Sequence, residues 1–348
     1  MITKKMAIVC FTPQGKDLAE KLQKELPKPF MEVNWEIDFI YKPVPFKQWM
    51  KDHFSSLDAL IFIGAMGIVV RDMAPCLKSK LTDPAVVVLD EKGQFVISVL
   101  SGHIGGANEL THQLAHFLGA IPVVTTSSDV NGKIAIDLFA KKNQLVITSM
   151  KQAKLCASDI VSGYPVSFTC AGKVKGKIPK ELSAHAGENI FDVMVSPFQS
   201  APKEKQLHLI PKAFVIGIGC KKGTSLATIE SRVKEELDKK NIDIRSVKGM
   251  TSIDLKKDEE GLLEFAKKRK IPLHFYSAGE LSCLEGNFTP STFVNSITGV
   301  DNVCEWAGYQ LVLEENDVTL EDCLVLPKTG KDGVTVSILK LDWSVCFE

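Results

Sequence analysis

The sequence has no net charge: 42 Lys and Arg stand against 42 Asp and Glu in 348 residues. A strongly basic nucleic-acid binder is thereby excluded. It also has no long apolar run. The longest, Ala213 to Cys220, is far short of the ~20 residues that span a bilayer. No export signal is expected, because the apolar stretch Met6–Phe11 stops at Thr12-Pro13. Nine cysteines form no C-x-x-C pair. An odd number without regular spacing implies reduced thiols in the cytoplasm, with neither a disulfide framework nor a zinc site.

What is present is an ordinary globular composition, 45% apolar and 24% charged, long enough for two domains. From residue 213 onward there are 17 basic and 22 acidic residues, against 25 and 20 before it. The first part is therefore the better host for an anionic ligand.

Strand-like and helix-like segments alternate. Ala59–Ala65 and Ala85–Asp90 are apolar enough for buried strands, and Glu91–Gln94 suits a hairpin into Phe95–Leu100. Asp17–Leu26 and Gly106–Gly119 carry leucines at helical spacing. The expected fold class is α/β: two α/β units with mostly parallel sheets, plus a small α/β middle segment. The boundaries are an N-terminal domain over 1–130, a middle segment over 131–197, a linker over 198–212 read from Pro197–Pro211, and a C-terminal domain over 213–348. In the last, Phe214–Cys220 is a strand, Ser225–Asn241 a helix, and Asp258 the expected N-cap of a helix to Lys270.

Four loops can carry chemistry. The densest is Ser101-Gly102-His103-Ile104-Gly105-Gly106-Ala107-Asn108-Glu109, which follows a strand and opens a helix. Glycines admit close backbone approach, and a helix N-terminus offers N–H donors to a carboxylate or phosphate. His103 suits a general base or a metal ligand; a tight turn with a solvated histidine remains the plain alternative. Gly64-Ala65-Met66-Gly67, with Arg71 a turn later, repeats the pattern. In a parallel sheet both loops would share the carboxyl edge, with Arg71 able to clamp a carboxylate. Thr125-Thr126-Ser127-Ser128-Asp129 offers hydroxyls for a ligand or for a helix cap. Gly217–Ser225 approximates a dinucleotide fingerprint with one residue too many before Gly223. An anion-cradling loop fits it as well. His112 and His116 lack a third ligand, so no protein-held metal is expected there. Cys220, beside Lys221 and Lys222, reads more simply as a spectator thiol.

The segments Gly64–Arg71 (GAMGIVVR), Asp83–Leu89 (DPAVVVL), Ser101–Asn108 (SGHIGGAN) and Gly119–Thr126 (GAIPVVTT) occur in that order. Gly217–Thr224 (GIGCKKGT), Ser252–Lys256 (SIDLK), Val303–Glu305 (VCE), Pro327–Thr329 (PKT) and Gly333–Val336 (GVTV) follow. Together they resemble the CbiG family, the cobalt-precorrin-5A hydrolases of the anaerobic cobalamin pathway. The likeness covers nearly the whole chain and is weakest over 131–210. Thr-Thr-Ser-Ser-Asp departs slightly from the family's Thr-Thr-Ala-Thr-Asp, at Ser127 and Ser128.

The resemblance implies an anionic cobalt-tetrapyrrole substrate whose ring-A acetate is closed as a δ-lactone. Water opens the lactone, and a two-carbon fragment then leaves as acetaldehyde to give cobalt-precorrin-5B. Cobalt arrives with the substrate, and no protein-bound cofactor is implied. Neighbouring cobalamin-pathway enzymes are implied partners, and neither nucleic acid nor membrane is. Set beside that chemistry, His103 or Glu109 is a candidate catalytic base, and the Gly105–Ala107 N–H groups are candidates to hold an oxyanion. Substrate contacts are expected from Gly64, Gly67, Arg71, Ser101, Gly102, Gly105, Gly106, Asn108, Thr125, Thr126, Asp129, Gly217, Gly219, Gly223, Thr224 and Lys328. Two other readings stay open: a non-catalytic carrier of a tetrapyrrole intermediate, and a nucleotide-dependent enzyme resting on Gly217–Gly223 alone.

Overall fold

Two consecutive runs of apolar residues, Ala59–Ile63 and Ala85–Leu89, form strands buried on both faces, as parallel strands between helical layers must be. In the computed structural model, residues 3–79, 82–183, 185, 187, 190–284 and 302–347 are described. Their contacts divide the chain into two compact units, Met1–Lys141 and Lys142–Glu348.

The first unit holds strands β1 (Thr3–Cys10), β2 (Asn34–Tyr41), β3 (Ala59–Ile63), β4 (Ala85–Leu89), β5 (Phe95–Leu100) and β6 (Ile121–Val123). Their sheet order is β2-β1-β3-β4-β5-β6. Its helices are α1 (Pro13–Glu25), α2 (Phe46–His53), α3 (Met66–Met73), α4 (Ala107–Leu118), α5 (Ser127–Val130) and α6 (Ile136–Lys142), the last reaching the seam. Alternate residues of each strand face opposite layers. Met6, Ile8, Ile61 and Val87 pack with Leu22 of α1 and Leu110 and Leu114 of α4. Ala7, Val9, Leu60, Phe62 and Val88 pack with Phe46 and Met50 of α2 and Val69 and Met73 of α3.

One turn decides where the loops go. Asp90 accepts the backbone N–H groups of Lys92, Gln94 and Phe95 at 2.7–3.0 Å, and Gly93 takes φ +66°. The hairpin so formed sets β5 antiparallel to β4, and β6 parallel to β5. The sheet is thus parallel over β2-β1-β3-β4 and reversed over β5-β6. The loops after β5 and β6 lie on one edge, and the loop after β3 lies on the other. The expectation that Gly64–Gly67 and Ser101–Glu109 share an edge is therefore overturned.

The second unit contains α7 (Met150–Ser162) and a four-stranded sheet of β7 (Val146–Ile147), β11 (Gln206–Ile210), β10 (Phe191–Val195) and β8 (Val166–Cys170) in that order. The expected linker over 198–212 holds a strand in its second half, while 199–205 is irregular and mostly exposed. Leu207, Leu209 and Ile210 are buried in β11, which lies inside this sheet, and Phe198 bridges to Ile242. A five-stranded sheet follows, in the order β14 (Leu273–Tyr276), β13 (Val247–Ile253), β12 (Phe214–Cys220), β16 (Val334–Lys340), β15 (Leu324–Lys331). Its helices are α8 (Leu226–Lys239), α9 (Glu260–Arg269), α10 (Ala278–Ser282), α11 (Val303–Leu313) and α12 (Leu320–Cys323). Glu259, not Asp258, is the N-cap of α9, and it does not cap through its side chain. Short strands β9 (Lys173–Lys175) and β17 (Ser344–Cys346) pair in parallel. All nine cysteines are free thiols. No helix among the described residues is long and apolar enough to cross a membrane.

Candidate active site

The chain leaves β5 through a loop folded tightly on itself. Ser101 sits at φ +57° with its hydroxyl donating to the Asp83 carbonyl at 3.0 Å. A Cβ on Gly105 would stand 2.3 Å from the Ser101 Cβ, and one on Gly102 would stand 2.6 Å from Asn108 Oδ1. These glycines are required by the loop's own packing. Gly106 then enters α4 in the left-handed region.

This fold brings His103 against the segment that follows β6. Its Nε2 lies 2.9 Å from Asp129 Oδ2 and 3.0 Å from Ser128 Oγ; its Nδ1 lies 3.3 Å from Asp137 Oδ1. The imidazole is largely covered, its side chain only 17% exposed. Beneath it, Asn108 binds the parts together. Its Oδ1 accepts from Ser98 Oγ at 2.7 Å, while its Nδ2 donates to Thr126 Oγ1 at 3.0 Å and to Asp129 Oδ2 at 3.2 Å. Lys141 Nζ donates to the Ile104 carbonyl.

The hydrogen bond to Asp137, first, and that to Asp129 raise the His103 pKa above its ordinary value, against the opposing effect of burial. Both ring nitrogens face carboxylates, so a protonated ring would donate on both sides, and His103 stands here as a candidate proton donor beside the expected base role.

Other expected residues fall elsewhere. Glu109 is exposed on α4, where its carboxylate accepts from Gln113 at 2.9 Å, and it does not join the cluster. The N–H groups of Gly106 and Ala107 donate to the carbonyls of His103 and Ser101, so they are not open to an oxyanion. Gly64, Gly67 and Arg71 lie at the opposite edge of the sheet. There the Arg71 guanidinium donates to the Gly67 carbonyl at 3.0 Å, and Met66, Ile68 and Val70 are exposed beside it. Thr125 is exposed; Thr126, Ser101, Gly102, Gly105, Gly106, Asn108 and Asp129 belong to the His103 neighbourhood.

In the second unit, Gly217 serves helix packing: a Cβ there would stand 1.8 Å from the Cys304 carbonyl oxygen of α11. A Cβ on Gly219 would stand 2.6 Å from Thr335 Oγ1. The Gly223 N–H already holds an anion, the Glu259 carboxylate at 2.8 Å, which also meets Lys256 at 3.0 Å. Thr224 donates its hydroxyl to the Lys221 carbonyl. The Lys328 N–H donates to the buried Glu305 at 2.5 Å, fixing β15 to the start of α11. The loop that approximates a dinucleotide fingerprint is thus closed by Glu259 from the start of α9 and by its own Thr224.

One residue of the site, Asp137, was not singled out from sequence, and Ser128 was read only as one of several hydroxyls for a ligand or a helix cap. Asp137 follows the buried Ile136 in the first turn of α6, where an acid suits the helix dipole, so its pattern signalled a helix start and nothing more.

Two family models match the chain. The cobalamin synthesis G N-terminal family matches residues 48–129, and the cobalamin synthesis G C-terminus matches 214–339. A cobalt-precorrin-5A hydrolase from Priestia megaterium is 39% identical over 307 residues, 83% of this chain and 80% of the relative. Another from Salmonella typhimurium is 35% identical over 320 residues, 88% of this chain and 91% of the relative. A solved cobalamin biosynthesis protein G homolog from Sulfolobus solfataricus aligns over 97% of both chains, at 19% identity and a TM-score of 0.38. On the sequence matches, the chain belongs to the cobalamin synthesis G, or CbiG, family.

Proposed function

We propose that the chain hydrolyses cobalt-precorrin-5A, and that its first step, the opening of a lactone, takes place at the His103 cluster. The observation that carries the reading is the 39% identity to a named cobalt-precorrin-5A hydrolase across most of both chains. The cluster supports it. Lactone opening needs a proton donor for the departing oxygen and a polar group to orient water, and His103, Asp129 and Ser128 supply both types within 3.3 Å of one another.

The finer chemistry belongs to the same proposal. Loss of acetaldehyde breaks a carbon–carbon bond: the freed hydroxyl gives up its proton, and the bonding pair passes into the macrocycle. The cobalt tetrapyrrole is the electron sink, so cobalt enters as part of the substrate and the protein supplies no cofactor. Nine free thiols suit the cytoplasm, where neighbouring enzymes of the pathway would pass on so labile an intermediate.

The test is anaerobic incubation of the purified protein with cobalt-precorrin-5A. Acetaldehyde in proportion to substrate consumed is the expected result. Tight binding without acetaldehyde would make the protein a carrier, and neither binding nor release would remove the reading.

A further inference from the structure

Resting on that reading, we infer that His103 works as a bound imidazolium that protonates the departing lactone oxygen, and that Asp137 is the residue that positions it. The argument is geometric. His103 comes from the loop after β5, Asp129 from α5 and Asp137 from α6, so three separate elements converge on one ring. The carboxylates take opposite nitrogens, at 2.9 and 3.3 Å. A neutral imidazole has one N–H and would present a lone pair to one of the two anions; the imidazolium satisfies both. The other charged groups on these elements are engaged elsewhere or lie off the ring, and the lysines among them do not themselves favour its charge. Lys141, one turn beyond Asp137, is held on the Ile104 carbonyl, Lys133 lies on the α5–α6 connection, and Glu109 on α4 is engaged by Gln113. The raised pKa of His103 is in the same direction.

The two acids are not equivalent. Asp129 stands at the more open side, its side chain 30% exposed, and all three side-chain hydrogen bonds it accepts fall on Oδ2. Asp137 is more covered, at 14%. We place substrate and water on the Asp129 and Ser128 side, and Asp137 behind the ring. In the step, water oxygen bonds to the lactone carbonyl carbon and gives its proton to Asp129. The acyl carbon–oxygen bond breaks, and the departing oxygen takes a proton from His103 Nε2. The products are a free acetate arm and a hydroxyl. Asp129 then returns its proton to His103, which restores the resting state with no outside reagent. Asp137 acts through the ring, much as the orienting acid of a catalytic triad does.

The experiment reads the ring directly in the whole protein. Histidine side-chain nitrogen NMR, assigned with His103→Gln, follows protonation in the wild type, in Asp137→Asn and in Asp137→Glu. The expected result is a wild-type ring protonated to higher pH than an ordinary histidine, a downward shift in Asp137→Asn, and recovery in Asp137→Glu. In parallel, kcat for cobalt-precorrin-5A should fall on the alkaline side in the wild type. That limb should move to lower pH in Asp137→Asn with KM little changed, and His103→Gln should lose roughly 10²–10⁴-fold in kcat. A His103 that titrates in the ordinary range, or that Asp137→Asn leaves unmoved, overturns the positioning role. An activity that rises as His103 loses its proton overturns the donor role. The expected NMR titration with no turnover by the wild type overturns the hydrolase reading, and with it the donor role, while the clamp on the ring stands.

Discussion

Asn108 shows how much of the site's order rests on one side chain. It is 4% exposed and joins Ser98, Thr126 and Asp129. Asn108→Ala leaves those groups under-satisfied in a covered setting, a loss of ~1–3 kcal/mol for such a buried group. A lowered Tm together with a faster-exchanging His103 ring proton is the expected pair of readouts; an unchanged Tm would show that water replaces the amide at no cost. His103 itself makes stability depend on pH. Its folded pKa is raised, so the stabilisation is fully present below the ordinary histidine pKa and is lost as pH rises through the folded one. The Tm difference between wild type and His103→Gln should therefore be larger at about pH 6 than at about pH 9. Calorimetry at the two pH values decides it, and a difference that grows with pH would mean that the ring is held neutral. Sequence revealed His103, Asn108 and Asp129 as chemistry-bearing groups. It did not reveal Asp137, because an acid in a first helical turn is ordinary and its meeting with His103 is a long-range event.

Among the elements, strands buried on both faces were the most legible, since unbroken apolar runs such as Ala85–Leu89 admit few other readings. Strand β2 was missed although Asn34–Tyr41 carries the polar and apolar alternation of a half-buried edge strand. Strand β11 was missed as well, its Gln206–Ile210 standing among prolines that read as a linker. The hairpin after Ala85–Asp90 was read correctly, yet its consequence was not drawn: a reversed β5 carries its loop to the opposite edge. The glycines of the second unit separate in the same way. Gly217 and Gly223 look alike in sequence, but a side chain at Gly217 would strike the backbone of α11. At Gly223, φ is +73° and the space is open. Gly223→Ala should cost about 1–2 kcal/mol of left-handed strain. Gly217→Ala should cost more, because α11 must move as a body. Denaturant unfolding of the two variants measures the order, and equal losses would show that α11 shifts freely.

For the molecule as a whole, the position of the first boundary decides whether the site survives dissection. A division at residue 130, as composition suggests, keeps His103 and Asp129 but removes Asp137 and Lys141. The compact unit instead runs to Lys141 and includes most of α6, whose Ile136, Phe139 and Ala140 are buried. Among the described residues, the side chains that hydrogen-bond the His103 ring, Asp129, Ser128 and Asp137, then lie in one unit with its own core on both faces of the sheet. A fragment of residues 1–145 should accordingly unfold cooperatively and keep the raised His103 titration of the full chain. A fragment of residues 1–130 should lose it, and the histidine should move down toward its ordinary range even if the sheet still forms. Circular dichroism reports the sheet, and histidine NMR reports the ring. If both fragments titrate alike, Asp129 alone holds the proton and Asp137 is a bystander. If the longer one shows an ordinary histidine, residues beyond 145 are needed to seat α6. The expected split, with the sheet retained in both and the raised titration in only one, would place the device that keeps His103 charged in the short segment from 131 to 141, where the sequence pattern signalled a helix start and nothing more.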